Sequence, residues 1–329
     1  MASEGNRRAS PLAARRDYPA SWQDFVAWLH DDAACAAYLE RLRWPEGFVC
    51  PACGTMGDPW RQTRGRLVCR TCRAQTTVTA GTIFDKTRTP LTVWLAAAWH
   101  LTTAKNGLSA LTLSRTLGTN YRVAWAMLQR YRVAMVRSER EPLSGDVEVD
   151  ETYVGGVEHG GKRGRGAGKK CIVVIAVEIE HPKGFGRVRL RHVPDVSRAS
   201  LVGFVTDIVA PRSVVLTDGW RAYNEVADHG YTHKVTKLSD SGDPAHVSMP
   251  GVHRIASLLK RWILGTHQGS VDPAHLQSYL EEFTFRFNRR TSRSRGLVFR
   301  RLLEQAVVTG PVTEAEVTHG YPWETNPNI

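Results

Sequence analysis

Apolar residues recur at helical spacing through most of the first 140 positions of the chain. Before residue 46 this spacing predicts one or two helices, and a second run begins at Pro90, a residue that suits a helix start. Gly107 and Gly118 divide the second run into three helices. In the last helix one apolar stripe comprises Ala124, Leu128, Tyr131 and Met135. The stripe predicts a position on or near the solvent side for Arg122, Gln129, Arg130 and Arg132.

From about residue 145 the pattern becomes that of β-strands. Val147 and Val149 alternate with Glu148 and Asp150, which places the two acids together on the opposite face. The β-branched run at 171–179 predicts a strand that is buried on both faces. Another alternating strand, a helix, a short buried strand and a second helix follow. The order βββαβα predicts an α/β fold, a mixed sheet that is covered by helices.

Four cysteines occur in two closely spaced pairs. Cys50 and Cys53 form one C-x2-C pair, and Cys69 and Cys72 form the other after fifteen intervening residues. Four thiolates presented in this way make a closed tetrahedral site for a structural Zn²⁺ ion. Two redox pairs or disulfides are the alternative, but a reducing compartment favours metal. The spacing predicts a zinc ribbon over residues 47–80.

The charge balance adds a partner to this picture. Lys and Arg number 44 against 32 Asp and Glu, so the formal net charge is +12. Such an excess usually matches a polyanion, most often nucleic acid, although some basic proteins have no such partner. No stretch is long and apolar enough to cross a bilayer, and the N-terminus lacks the apolar segment of a secretory signal. We therefore expect a cytoplasmic protein with no membrane partner.

Two aspartates and a histidine are candidate metal ligands. Asp150 interrupts an alternating strand, and Asp218 ends a buried one, where an aspartate commonly only begins the following loop. The stretch 251–262 has the pattern of a basic helix, in which His253 and Lys260 lie two turns apart on one face. Taken singly, each of these residues is more often structural than catalytic.

Together the motifs resemble those of the insertion-sequence 1595 family, a group of bacterial transposases of the acidic-triad (DDE) type that carry a zinc ribbon. The resemblance runs from "RWPEGFVCPACG" through "VEVDETYVGG" and "LTDGWRAY" to "LLKRWILGTHQG" and "YLEEFTFRFNRR". It implies a ribonuclease-H-like (retroviral-integrase-like) core, in which carboxylates on two adjacent strands and a third ligand on a helix bind divalent cations. The matching catalytic positions here are Asp150, Asp218, His253 and Lys260. His253 stands where many relatives have glutamate.

That histidine changes the expected metal chemistry. Phosphoryl transfer between hydroxyls uses two cations a few ångströms apart, and carboxylates suit Mg²⁺ whereas a neutral imidazole suits Mn²⁺. We therefore expect Mg²⁺ or Mn²⁺ to be bound by Asp150, Asp218 and His253, with Mn²⁺ supporting cleavage at least as well as Mg²⁺. The alternative is that His253 is an ordinary residue on a helix surface.

The predicted organisation is an N-terminal tail with helices (1–46), the zinc ribbon (47–80), a helix-turn-helix DNA-binding region (88–140), the ribonuclease-H-like transposase domain (145–307) and a C-terminal tail (308–329). The helix-turn-helix prediction depends on a short Gly-containing turn followed by a basic helix. A plain helical bundle with a solvated basic face fits the same pattern.

The expected function is metal-dependent DNA cleavage and strand transfer at the inverted repeats of an insertion sequence. A homo-oligomer on double-stranded DNA, associated with the bacterial nucleoid, would carry it out. The residues expected to contact DNA are Arg122, Gln129, Arg130, Lys162, Arg163, Arg165, Lys169, Lys170, Lys260, Arg261, Arg289 and Arg290. The basic residues at 162–170 fit a merely solvated hairpin tip equally well. A catalytically inactive DNA-binding regulator and a structure-specific nuclease on the same core are the functional alternatives.

Overall fold

The computed structural model describes residues 12–137, 139–155, 170–236, 249–269 and 271–323. The α-helices are α1 (Trp22–Trp28), α2 (Asp32–Arg43), α3 (Leu91–Thr103), α4 (Ala110–Leu117), α5 (Tyr121–Ala134), α6 (Arg198–Ile208), α7 (Pro250–His267), α8 (Pro273–Phe287), α9 (Arg295–Ala306) and α10 (Glu314–His319). The strands are β1 (Trp60–Arg61), β2 (Leu67–Val68), β3 (Gln75–Thr76), β4 (Asp146–Val154), β5 (Cys171–Ile179), β6 (Phe185–Val193), β7 (Val214–Asp218) and β8 (Thr232–Thr236). A 3-10 helix, Arg221–His229, separates β7 from β8. Within these ranges no helix is both long and apolar enough to cross a membrane.

The chain folds into two compact units. One contains the chain up to residue 103 together with 292–308, and the other contains 104–291 and the chain from residue 309. These units depart from the predicted domains, because α9 belongs to the first unit and α3 is separated from α4 and α5. In the first unit the Phe299 ring of α9 lies 5.7 Å from Phe25 and 5.4 Å from Trp99. Such long-range aromatic packing leaves no mark on local periodicity.

The first unit contains a small antiparallel sheet in the order β1-β2-β3. Phe48 and Leu67 pack with Cys50 and Cys69 in a small core beside it. Short strands and so small a core cannot stabilise a sheet alone, which is the usual reason for a metal crosslink in segments of this size. The arrangement agrees with the predicted ribbon.

The second unit is built on a five-stranded sheet in the order β6-β5-β4-β7-β8. Antiparallel pairing joins β4 to β5 and β5 to β6, whereas β4–β7 and β7–β8 are parallel. The predicted mixed α/β architecture is therefore confirmed for this unit. The pattern did not predict β8, whose half-polar sequence "THKVT" occupies a sheet edge. Its neighbour in the chain, predicted as an α-helix, is the 3-10 helix.

Each face of the sheet is covered by different helices. Val147 and Val149 point into a core with Leu201 and Phe204 of α6. Side chains on the other face of the sheet pack against α7 and α8, in a core that includes Ile175 of β5. Because successive residues of a strand alternate in direction, Glu148 and Asp150 lie on the α7 side of β4. The sheet therefore presents these acids to the helix that carries His253 and Lys260.

The helix pair α4–α5 also belongs to the second unit. Gly118 ends α4 with φ of +64°, a left-handed conformation that glycine adopts without strain. Asn120 then caps α5 by accepting a hydrogen bond from the Val123 amide at 2.9 Å. These two signals produce the short turn that the sequence predicted between the helices.

Candidate active site and metal centres

Parallel pairing of β4 with β7 brings the two candidate aspartates together. The register pairs Asp146 with Val214 and Glu148 with Leu216. The paired segment ends there, and Asp150 and Asp218 each follow it by two residues on neighbouring strands. Asp150 Oδ1 accepts a hydrogen bond from the Glu151 amide at 2.8 Å, and Asp218 Oδ1 accepts one from the Trp220 amide at 3.0 Å. Each of the two neighbouring strands thus carries one aspartate just beyond the paired segment.

A buried tyrosine joins this group of acids. The Tyr223 hydroxyl donates to Glu151 Oε2 at 3.2 Å, and Tyr223 is fully buried. Burial raises the pKa of Tyr223 well above its usual value, and the nearby charges of Glu151, Asp150 and Asp218 raise it further. Its hydroxyl therefore stays protonated as a donor. Sequence reasoning missed Tyr223, because its aromatic periodicity in "GWRAYNEVA" indicates core packing alone.

The helix α7 carries the other two candidate residues. His253 is half-buried in its first turns, and Lys260 is exposed two turns further on. Partial burial and the charge of Lys170 lower the pKa of Lys260, whereas the charge of Asp150 acts in the opposite direction. The charge of Asp150 on β4 therefore acts on Lys260. The charge of Lys170, which follows the predicted basic hairpin tip, also acts on Lys260.

The side chains of the candidate triad are of the types that bind divalent cations. Within the described ranges, the four cysteines are the only set of three or more potential ligands whose donor atoms all lie within 4.8 Å of one another. Asp150, Asp218 and His253 are not in that set and stay candidate ligands of divalent cations. Two ions a few ångströms apart require only pairs of these donors, and carboxylate oxygens suit Mg²⁺ and Mn²⁺. Adjacent Asp150 and Asp218 provide such a pair.

The cysteine cluster has the geometry of a zinc site. Cys50 Sγ lies 3.7 Å from Cys72 Sγ, and Cys53 Sγ lies 3.7 Å from Cys69 Sγ. Tetrahedral bonds of about 2.3 Å from zinc to sulfur require sulfur atoms about 3.8 Å apart. A hydrogen bond with the Thr55 side chain lowers the pKa of Cys53 to about 6, which favours the thiolate that binds metal. The four side chains fit a structural Zn²⁺ ion.

Only part of the basic face predicted for α5 is exposed to solvent. Ala124, Leu128, Tyr131 and Met135 form the buried stripe as predicted, but Gln129 and Arg132 are only 3% and 1% exposed. The predicted solvent position is therefore wrong for these two residues, and Gln129 cannot contact DNA from it. Packing of α5 against α8 covers residues beside the stripe, and Arg132 donates from Nε to Glu282 at 2.9 Å.

The other residues predicted to contact DNA differ in exposure and in the groups that they already contact. Arg122 is exposed but pairs with Glu314 at 2.7 Å, and Arg130 donates to the Val312 carbonyl at 3.2 Å. Arg289 and Arg290 lie over the rings of Phe285 and Phe287, at 3.9 and 4.0 Å from the centroids. Arg261 is exposed on α7. Lys162, Arg163, Arg165 and Lys169 lie outside the described residues.

Two family models match separate parts of the chain. Residues 142–288 match the ISXO2-like transposase domain, and residues 30–75 match the transposase zinc-ribbon domain. No curated protein matches the chain. The first range spans β4 to α8 and includes Asp150, Asp218, His253 and Lys260. The second range includes all four clustered cysteines.

Proposed function

The chain belongs to the insertion-sequence 1595 family of transposases, and we propose that it cleaves DNA at the inverted repeats of an insertion sequence and joins the cut ends to target DNA. One observation carries this proposal. Within the matched transposase domain, the parallel strands β4 and β7 carry Asp150 and Asp218, and the charges of both aspartates act on the buried Tyr223. The charge of Asp150 also acts on Lys260 of α7, which supports a site built from these two strands and this helix.

We further infer a ribonuclease-H-like fold for the second unit. An antiparallel three-stranded meander is extended by two parallel strands in the order β6-β5-β4-β7-β8. In this arrangement the first strand of the meander, β4, lies at the centre of the sheet and pairs in parallel with β7. In the proposed fold Asp150 on β4 and Asp218 on the adjacent β7 would supply the two carboxylates that the family resemblance implies.

The proposed chemistry consists of two phosphoryl transfers. Water first attacks the phosphodiester at an element end. A phosphorus–oxygen bond forms, the bond to the 3′-oxygen breaks, and the proton passes to that oxygen to leave a 3′-hydroxyl. The 3′-hydroxyl then attacks a target phosphodiester: a new phosphorus–oxygen bond forms, the bond to the target 3′-oxygen breaks, and the proton of the attacking hydroxyl passes to that departing oxygen. Divalent cations, when bound, supply the positive charge that stabilises the attacking and leaving oxygens.

The side chains of this protein supply position and charge. Asp150 and Asp218 would hold the cations between them, and His253 would provide a further ligand from α7. Lys260, exposed beside Asp150, would attract a backbone phosphate and align the scissile bond. The pairing of Tyr223 with Glu151 would keep the 3-10 helix after β7 close to the end of β4.

DNA recognition is assigned to the zinc ribbon and to the α4–α5 pair. We propose that α5 reads the inverted repeat through its exposed N-terminal turn, where Tyr121 and Arg122 are exposed. Exposed basic residues such as Arg261 would bind phosphates without regard to sequence. Cutting two element ends in concert requires more than one active site, so the working form on DNA is a homo-oligomer.

The test uses the full chain, labelled element ends, target DNA and Mn²⁺. Joined products are expected with the wild type and are expected to be lost in Asp150→Ala and Asp218→Ala. Asp146→Ala is the matched control, because this aspartate lies on the same strand but bonds His181 at 2.9 Å. Binding without cleavage would indicate a regulator. Cleavage without joining would indicate a nuclease.

A further inference from the structure

A second acid lies on β4, on the same face as Asp150. Glu148 precedes Asp150 by two residues, and it is only 4% exposed. The strand register pairs it with Leu216 of β7 and with Val177 of β5. Burial of a carboxylate costs free energy that an apolar residue at this position would avoid. The hydrogen bond that Glu148 accepts indicates the role of this acid.

Glu148 binds the first turn of the helix that carries His253. Its Oε2 accepts a hydrogen bond from the Val252 amide at 3.0 Å, and Val252 is only 1% exposed. The first amides of a helix have no partner within the helix, and the carboxylate satisfies one of them where the helix dipole favours negative charge. The bond therefore connects the backbone next to His253 with the strand that holds Asp150.

Gly251 brings this turn unusually close to the sheet. A Cβ at residue 251 would lie 2.8 Å from Ile179 Cδ1 and 2.9 Å from both Glu148 Oε2 and Val177 Cγ1. Any side chain at residue 251 would force the side chains of Ile179, Glu148 or Val177 to shift. The first turn of α7 is consequently held against β4 and β5 by both steric fit and a hydrogen bond.

We propose that Glu148 is a positioning residue that fixes His253 relative to Asp150. It acts through the backbone of the first turn of α7, and each partner lies close in sequence to the residue it positions: Val252 precedes His253, and Glu148 lies two residues before Asp150. The catalytic part of this inference rests on the proposed function, in which His253 is a metal ligand. The inference that Glu148 holds the first turn of α7 does not depend on the proposed function.

The first measurement is hydrogen–deuterium exchange of the full chain, followed in peptides that cover residues 250–256. Glu148→Ala is expected to accelerate exchange of the first-turn amides of α7 about tenfold to a hundredfold, because a buried amide loses its hydrogen-bond acceptor. Glu148→Gln keeps an acceptor oxygen and is expected to retain most of the protection. Glu178→Ala is the matched control, because Glu178 also accepts hydrogen bonds from backbone amides, those of Ser144 and Arg187.

The second measurement is the affinity for Mn²⁺, followed by electron paramagnetic resonance, together with Mn²⁺-dependent cleavage. Glu148→Ala is expected to weaken Mn²⁺ binding and slow cleavage by about tenfold each, with Glu148→Gln restoring both. Faster exchange with unchanged Mn²⁺ affinity and cleavage would overturn the positioning role. Unchanged exchange would overturn it entirely. If the wild type neither binds Mn²⁺ nor cleaves DNA, the proposed function fails, and the exchange result alone decides whether Glu148 holds the His253 turn.

Discussion

Arg132 of α5 donates from Nε to Glu282 of α8 at 2.9 Å, and their side chains are only 1% and 0% exposed. Arg286 donates to the other oxygen of Glu282, also at 2.9 Å. Burial would raise the pKa of Glu282, but the charges of Arg132 and Arg286 outweigh it and lower the pKa. The acid is therefore ionised and links α5, expected to read DNA, to a helix within the matched transposase domain.

Removal of this acid should be costly for the fold. Glu282→Ala leaves the Arg132 charge buried without its counter-ion, so we expect a loss of about 3–5 kcal/mol in the free energy of unfolding. Glu314→Ala is the control, because it breaks the exposed pair with Arg122 and should cost less than about 1 kcal/mol. Urea unfolding at pH 7 measures both. Similar losses in the two variants would show that loss of the counter-ion of a buried arginine costs no more than loss of an exposed ion pair.

The cysteine cluster predicts one zinc ion per chain. Cys53→Ser removes one of four thiolates, so the purified variant should contain much less zinc than the wild type and should lose the β1–β3 structure. Cys35→Ser is the control, since Cys35 is buried outside the cluster and should leave the zinc content unchanged. Atomic absorption measures the metal. Full zinc occupancy in Cys53→Ser would show that the ion is held elsewhere.

Local pattern predicted the parts of the site that depend on one element. Alternation in β4 placed Glu148 and Asp150 on one face, and helical spacing placed His253 and Lys260 on one side of α7. The cysteine spacing likewise anticipated the cluster. Each of these predictions follows from a repeat of 2 or 3.6 residues or from a short loop, which are properties of neighbouring residues.

What the sequence could not predict depends on which element packs against which. Gln129 and Arg132 follow the solvent side of the α5 pattern, yet both are buried, and Arg132 forms an ion pair with Glu282 of α8. In the sequence Glu148 is only one acid of an alternating strand, and the fold alone shows that it accepts a hydrogen bond from the first turn of α7. Tyr223 has the spacing of a core residue, and only the fold reveals the carboxylates around its hydroxyl. The strand β8 is too short and polar to be distinguished from a loop.

Basic residues of α7 should determine the salt dependence of DNA binding. Arg261→Ala is expected to weaken binding to all sequences and to reduce the slope of log K against log salt by about 1, as for the loss of one phosphate contact. Gln129→Ala is the control, since its buried side chain should leave the slope unchanged. Fluorescence anisotropy at several salt concentrations measures both. A slope altered by Gln129→Ala but not by Arg261→Ala would reverse these assignments.

Acid should destabilise the second unit through His267. Burial, with the charge of Arg132, lowers the pKa of His267 to about 4. The unfolded chain, with an ordinary histidine pKa, binds the proton first, so stability falls as the pH drops below about 6.5 and levels off below the folded pKa. The loss is at most about 3 kcal/mol.

His267→Phe should remove this dependence, because a phenyl ring suits the contacts of His267 with Trp262 and Tyr279. Urea unfolding at pH 7.5 and pH 4.5 compares the variant with the wild type. Relative to the wild type, the variant should have a higher free energy of unfolding at pH 4.5 than it has at pH 7.5. Parallel pH curves would exclude His267 as the titrating group.

The identity of residue 253 should set the choice of metal. His253→Glu replaces a neutral imidazole by a carboxylate, and hard oxygen ligands favour Mg²⁺. We expect the ratio of Mg²⁺-supported to Mn²⁺-supported cleavage to rise about tenfold over the wild type, whereas His253→Ala should lower cleavage with both ions. Arg254→Ala is the control, because its side chain is exposed in the same turn of α7. A wild-type rate and metal ratio in His253→Ala would remove this residue from the active site.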